Sequence, residues 1–224
     1  MEQAHIGLHH DYKLQRLIVL TDAVFAIAMT LLALELRPPL TWDGSIVGLF
    51  SAMRISLISY GVSFMAVALY WVSHRRIFGF IIKADLPLTL LSLIALGLVT
   101  LLPVVTRFMT EHGGDHAALS VYLGLFAAIG VANTVAWGYA CLRSGLVDPA
   151  MDRPSRIVYL LLQLWPALTC SAVIFVSATS GPTWRWLLFL PLGAAMIAFR
   201  RWKSRVGEPV PSSAAPVTRR SARR

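Results

Sequence analysis

The sequence predicts an all-α integral membrane protein with six transmembrane helices per subunit. Of its 224 residues, 57% are hydrophobic and only 14% charged, far from the balance of a soluble domain. Mean hydropathy is +0.67. The apolar runs, at roughly 20 residues per spanning helix, account for nearly the whole chain and leave no room for a soluble catalytic domain.

The first span reads from about 14 to 36 and carries two ionisable residues, Asp22 and Glu35. A carboxylate at the centre of a spanning helix costs about 2.5–3.5 kcal/mol on insertion scales, so Asp22 is expected to face protein, a partner charge or a water-filled path. Glu35 is followed by Arg37, Pro38 and Pro39, which end the helix at an interface. A full-length apolar segment with no small-residue cleavage site after Arg16 argues against a cleavable signal peptide.

The second span, 46 to 74, runs long. Arg54 near its start puts the apolar core from about Ile55 onward, with the guanidinium near an interface or paired with a neighbour. Further spans are expected at 84 to 107, 117 to 142, 156 to 179 and 184 to 201. Residues 1–205 thus read as one membrane domain. The tail 206–224, with Pro209, Pro211, Pro216 and terminal Arg pairs, reads as a disordered basic cytoplasmic extension within reach of anionic headgroups.

Charge placement orients these spans. One side collects Lys13, Arg16, Arg75, Arg76, Lys83, Arg143, Arg153, Arg156 and the basic C-terminal residues; the other holds Arg37, Arg107 and Arg185. The positive-inside rule then puts both termini in the cytoplasm and requires an even number of spans. The net charge of +9 is read as this topology signal and not as a nucleic-acid footprint.

Enzyme constellations are missing from the sequence. Cys141 and Cys170 lack CxxC spacing and read as buried thiols. His5, His9, His10, His112 and His116 have no coherent set of further metal ligands around them. There is no phosphate-binding glycine loop, nucleophile elbow or HExxH. No cofactor is expected. No internal repeat is evident, so a symmetric pore would require several copies of the chain.

Two segments carry specific information: Arg16-Leu-Ile-Val-Leu-Thr21-Asp22, continuing through Ile27, Thr30, Leu31 and Leu34, and Tyr70-Trp71-Val-Ser-His74-Arg75-Arg76-Ile77-Phe78. Together they resemble the prokaryotic branch of the transmembrane protein 175 potassium channel family. There the first helix carries an Arg and then Phe-Ser-Asp, the second ends in Trp-x-x-His with basic residues and Phe, and the third ends in Leu-Pro, here Leu102-Pro103. This chain has Leu20-Thr21-Asp22 in place of Phe-Ser-Asp, and Ser92 where the family pattern leads one to expect Asn. The motif match covers the first half of the chain; the later helices match in hydropathy.

The resemblance implies a homotetrameric, potassium-permeable cation channel of modest selectivity in a bacterial inner membrane, with four first helices around a central pore. Ile27, Leu31 and Leu34 stand at i, i+4 and i+7 and share a helical face, with Thr30 beside them. Spacing alone reads these as lipid-facing or packing side chains. The resemblance makes Ile27 the narrowest pore ring, Leu31 and Leu34 the adjacent rings, and Thr30 a hydroxyl for a partly dehydrated cation. Ala26 stands where some relatives have a small polar residue, which implies a weaker potassium preference here.

Asp22 has two readings: a pore-facing cation attractor, or a buried network with Arg16, Trp71, His74 and Ser92, in which Thr21 keeps the motif's hydroxyl. The network is preferred, because imidazole and indole N–H groups are suitable donors to a carboxylate cut off from water. Two rival classes remain. A secondary transporter would use broken helices at a midplane site, for which Trp165-Pro166 and Pro191 offer breaks without a matching pair in the first half. A non-conducting membrane scaffold would explain the helices without a pore.

Overall fold

The computed structural model describes residues 2–39, 44–112 and 115–179, with side chains from Tyr12 onward. The expected sixth span at 184–201, the tail 206–224, and the side chains of His5, His9 and His10 lie outside the described residues.

Among the described residues six helices follow in order: α1 Glu2–Leu34, α2 Ile46–Phe78, α3 Leu86–Thr100, α4 Leu102–Glu111, α5 His116–Leu142 and α6 Arg153–Thr179. Among the described residues there are five helical stretches long and apolar enough to cross a bilayer, α3 and α4 together forming the third. This defines a multi-pass membrane protein.

Two differences from the sequence expectation have local causes. The third span is not continuous: the chain turns at Leu101, whose N–H bonds back to Leu98. Pro103, in the first turn of α4, has no N–H to continue the ladder. The first helix also begins a dozen residues early, because its polar N-terminal stretch remains helical ahead of the apolar window that starts at Tyr12. Pro166, by contrast, does not break α6, which runs through it to Thr179. Both α1 and α2 have 33 residues, about 50 Å of helix against about 30 Å of hydrocarbon, so their ends project beyond the core. Arg54 is exposed about 12 Å from the start of α2.

The core is built where α1 meets α2, α3 and α4. Leu17, Thr21, Phe25, Ala28 and Leu32 recur at helical spacing and are buried. Phe25, Ala28 and Leu32 join Val67, Tyr70, Leu96, Val99, Leu102, Phe126 and Ile129 in one apolar cluster. Lipid supplies no hydrophobic drive for such contacts, so close packing and hydrogen bonds hold the helices together. At the α5–α6 contact, a Cβ placed on Gly130 would stand 3.0 Å from the Ala167 nitrogen. The absence of that methyl group lets the two backbones approach.

Hydroxyls supply the polar contacts. Ser63 on α2 bonds to Thr106 on α4 at 2.9 Å and to Tyr122 on α5 at 2.8 Å, all three buried. Tyr70 donates to the Phe126 carbonyl at 2.8 Å.

At the end of the bundle where α2 stops, two loops are clipped together. Ile82 N–H donates to the Leu146 carbonyl at 2.8 Å and Asp148 N–H to the Phe80 carbonyl at 2.9 Å. Gly145, at φ +86°, makes the turn that presents this strand-like segment. Asp85 caps α3 by accepting from Leu88 N–H and also accepts the Tyr139 hydroxyl at 2.6 Å. The second of these bonds ties the α2–α3 loop to α5.

Candidate functional site

On α1, the side away from the bundle carries the motif residues. Ile27, Leu31 and Leu34 are 56%, 40% and 72% exposed on the single chain, while Leu32 between them is fully buried. At 100° per residue, the Ile27 stripe lies about 120° round the helix from the buried stripe. Thr30 is exposed next to it, and its hydroxyl donates to the Ile27 carbonyl at 2.8 Å. That bond uses the proton and leaves oxygen lone pairs outward for another partner. Ala26 is exposed as well.

Asp22 lies five residues before Ile27, so it stands about 140° from the stripe. Its Oδ1 accepts the Trp71 indole N–H at 2.8 Å, across the α1–α2 contact. Arg75 stacks over the same indole, its guanidinium carbon 5.6 Å from the ring centroid. His74, one turn beyond Trp71, is buried; its ring stacks on Phe78 with centroids 4.1 Å apart and meets Phe25 of α1 at 5.9 Å.

The other expected members of the network are placed elsewhere. Arg16 forms no ion pair with Asp22 among the described residues; its guanidinium lies over the Tyr12 ring at 5.5 Å. Six residues separate Arg16 from Asp22, which puts them about 120° apart on the helix, and Arg16 falls on the line of the Ile27 stripe. Ser92 is buried but donates to Leu88 O at 2.8 Å within its own helix, and Thr21 likewise donates to Leu17 O. The structure thus joins Asp22 to Trp71, brings His74 close through aromatic packing, and satisfies Thr21 and Ser92 locally.

Sequence reading missed two residues here. Asn133 on α5 and Gln163 on α6 are buried with Ser92 around His74. Ser73 donates to Gln163 Oε1 at 2.9 Å, linking α2 to α6. Their signal in the sequence is only that each is an amide inside an apolar span. It also missed the far end of α1, where Arg107 stands 3.9 Å from Glu35 and donates to Glu111 at 2.8 Å. No group of three metal-ligating side chains occurs among the described residues, and Cys141 and Cys170 are free thiols.

The five apolar helical stretches define a polytopic helical membrane protein. The family model described as the endosomal/lysosomal potassium channel TMEM175 matches residues 16–103, which contain both motif segments. A potassium channel of Streptomyces collinus is 31% identical over 172 residues, covering 73% of this chain and 83% of the relative. A potassium channel of Chamaesiphon minutus is 33% identical over 144 residues, covering 62% and 71%. The crystal structure of a lysosomal potassium-selective channel TMEM175 homologue from Chamaesiphon minutus superposes with a TM-score of 0.65 at 26% identity, covering 87% of this chain and 98% of that one. The chain belongs to the TMEM175 family, a family of ion channels and not of enzymes.

Proposed function

We propose that this protein is a potassium-permeable cation channel of modest selectivity, conducting passively through a central pore in a homotetramer. The observation that carries the reading is the exposed Ile27–Leu31–Leu34 stripe on α1, set about 120° round the helix from a buried stripe. Four copies around an axis would stack rings of isoleucine and leucine. Such a constriction closes by dewetting and passes ions when wide enough for hydrated cations.

In this reading Ile27 forms the narrowest ring, Leu31 and Leu34 form its neighbours, and the outward oxygen of Thr30 assists a partly dehydrated cation. The exposed methyl of Ala26 adds no polar group there, in keeping with a weak preference for potassium over other monovalent cations. Asp22, held by Trp71 and turned away from the stripe, fixes the conducting helix to α2 and stays out of the ion path. The protein would sit in the bacterial plasma membrane with both termini in the cytoplasm. Arg75, Arg76, Lys83 and Arg143 at the His74 end support that orientation.

Passive flux from potassium-loaded liposomes, wild type against Ile27→Asn with the oligomer checked for both, tests the reading. Flux in the wild type with altered rate or selectivity in the variant is expected. Substrate-coupled, saturating flux would favour a secondary transporter, and no flux from intact tetramers a scaffold.

A further inference from the structure

At the inner end of α2, four buried polar side chains from four helices converge on one small cavity. His74 (α2), Ser92 (α3), Asn133 (α5) and Gln163 (α6) line it, within apolar walls that include Phe78 and Trp137. Its volume is 10 Å³, close to the roughly 10–15 Å³ that admits one water molecule. All four side chains are at least nine-tenths buried.

Their hydrogen-bonding capacity is only partly used. Ser92 donates to Leu88 O and Asn133 to Ile129 O at 3.0 Å, while Gln163 accepts from Ser73. This leaves the Ser92 oxygen as an acceptor, the Asn133 carbonyl as an acceptor and the Gln163 amide as a donor. The His74 ring has aromatic contacts on its faces and no hydrogen bond among the described residues. A neutral imidazole carries one donor and one acceptor, and burying both unpaired is costly.

We propose that this cavity seats a single structural water that ties the His74 ring to Asn133 and Gln163. A water offers two donors and two acceptors, enough to take the Gln163 N–H, serve the Asn133 carbonyl and engage an imidazole nitrogen. The water makes Asn133 and Gln163 positioning residues: with the ring fixed, the last turns of α2 hold Trp71 at Asp22. The bridge joins α5 and α6 to α1 through α2. It stands whether or not the protein conducts.

The test is a high-resolution structure of the full protein in lipid nanodiscs, with solid-state spectra of ¹⁵N-histidine assigned by their loss in His74→Phe. One density peak about 2.7–3.2 Å from an imidazole nitrogen and from Asn133 or Gln163 is expected. Asn133→Leu, with the same branching and no polar group, should abolish the peak and shift the His74 ring resonances. The control Thr134→Val, whose hydroxyl donates to Gly130 O within its own helix, should leave them in place. If Asn133→Leu does not fold, Gln163→Leu serves in its stead. A cavity without density, a direct bond from His74 to either amide, or unchanged His74 resonances in the leucine variant would overturn the proposal.

Discussion

The indole nitrogen of Trp71 stands 2.8 Å from Asp22 Oδ1, and this bond is the polar tie between α1 and α2. It explains how an acidic residue is tolerated in a spanning helix: the carboxylate has a donor fixed in place, with Arg75 stacked on the same ring. Trp71→Phe keeps an aromatic ring and removes the donor. A hydrogen bond to a charged group contributes about 1.5–3 kcal/mol. We expect the lower end, because Asp22 stays exposed on the single chain. The thermal midpoint of the purified oligomer should fall. Asp22→Asn in the Trp71→Phe background should cost little more, since the pair acts as one unit. Equal and additive losses would show that the bond contributes nothing to stability.

The buried hydroxyl cluster makes a second prediction about stability alone. Ser63→Ala removes both bonds of the group at once and strands Thr106 and Tyr122, whereas Tyr122→Phe removes one bond and its own hydroxyl together. Ser63→Ala should therefore be the more destabilising. Hydrogen bonds within membrane bundles average about 0.6 kcal/mol and reach about 1.7, so the loss should approach the upper figure. Denaturant unfolding in detergent measures both, and the reverse order would contradict the assignment.

Gly130 gives a third. A methyl group there would meet the Ala167 backbone nitrogen at 3.0 Å and its Cβ at 3.2 Å, and backbone cannot swing aside as a flexible side chain can. Gly130→Ala should cost about 1–3 kcal/mol by overpacking. Gly124→Ala, in the same helix with open space at its Cβ, should cost nothing measurable in the same assay.

These sites also mark what the sequence could and could not convey. The positions of the five described spans were legible because lipid demands long apolar runs whatever the tertiary packing, and the shared face of Ile27, Leu31 and Leu34 because they repeat at helical spacing. The Trp71–Asp22 bond was accessible once both were seen as polar-capable groups at matching depth. The turn at Leu101 was not, because apolar residues flank it on both sides and Pro103 is tolerated in a first helical turn as readily as it breaks one. Arg16 lies six residues before Asp22, about 120° round the helix, and its guanidinium lies over the Tyr12 ring, a contact the sequence reading did not name. Asn133 and Gln163 carry no periodic signature, so only the fold brings them to His74.

The far end of α1 carries the last prediction, which depends on the channel reading. Glu35 directly follows Leu34 of the exposed stripe, and Arg107 stands 3.9 Å away, shared with Glu111. If the stripe lines the pore, each subunit places one carboxylate at that mouth, with a guanidinium partly cancelling its field. Arg107→Ala should then raise cation flux at low ionic strength, and Glu35→Gln should lower it, each by on the order of two-fold. The double variant should resemble Glu35→Gln, because Arg107 acts here through the charge it masks. Both effects should fade as salt rises, since the Debye length shrinks from about 30 Å at 0.01 M to about 3 Å at 1 M. Flux measured across that salt series decides the matter: a salt-independent change would point to altered helix packing, and unchanged flux in both variants would place Glu35 away from the ion path.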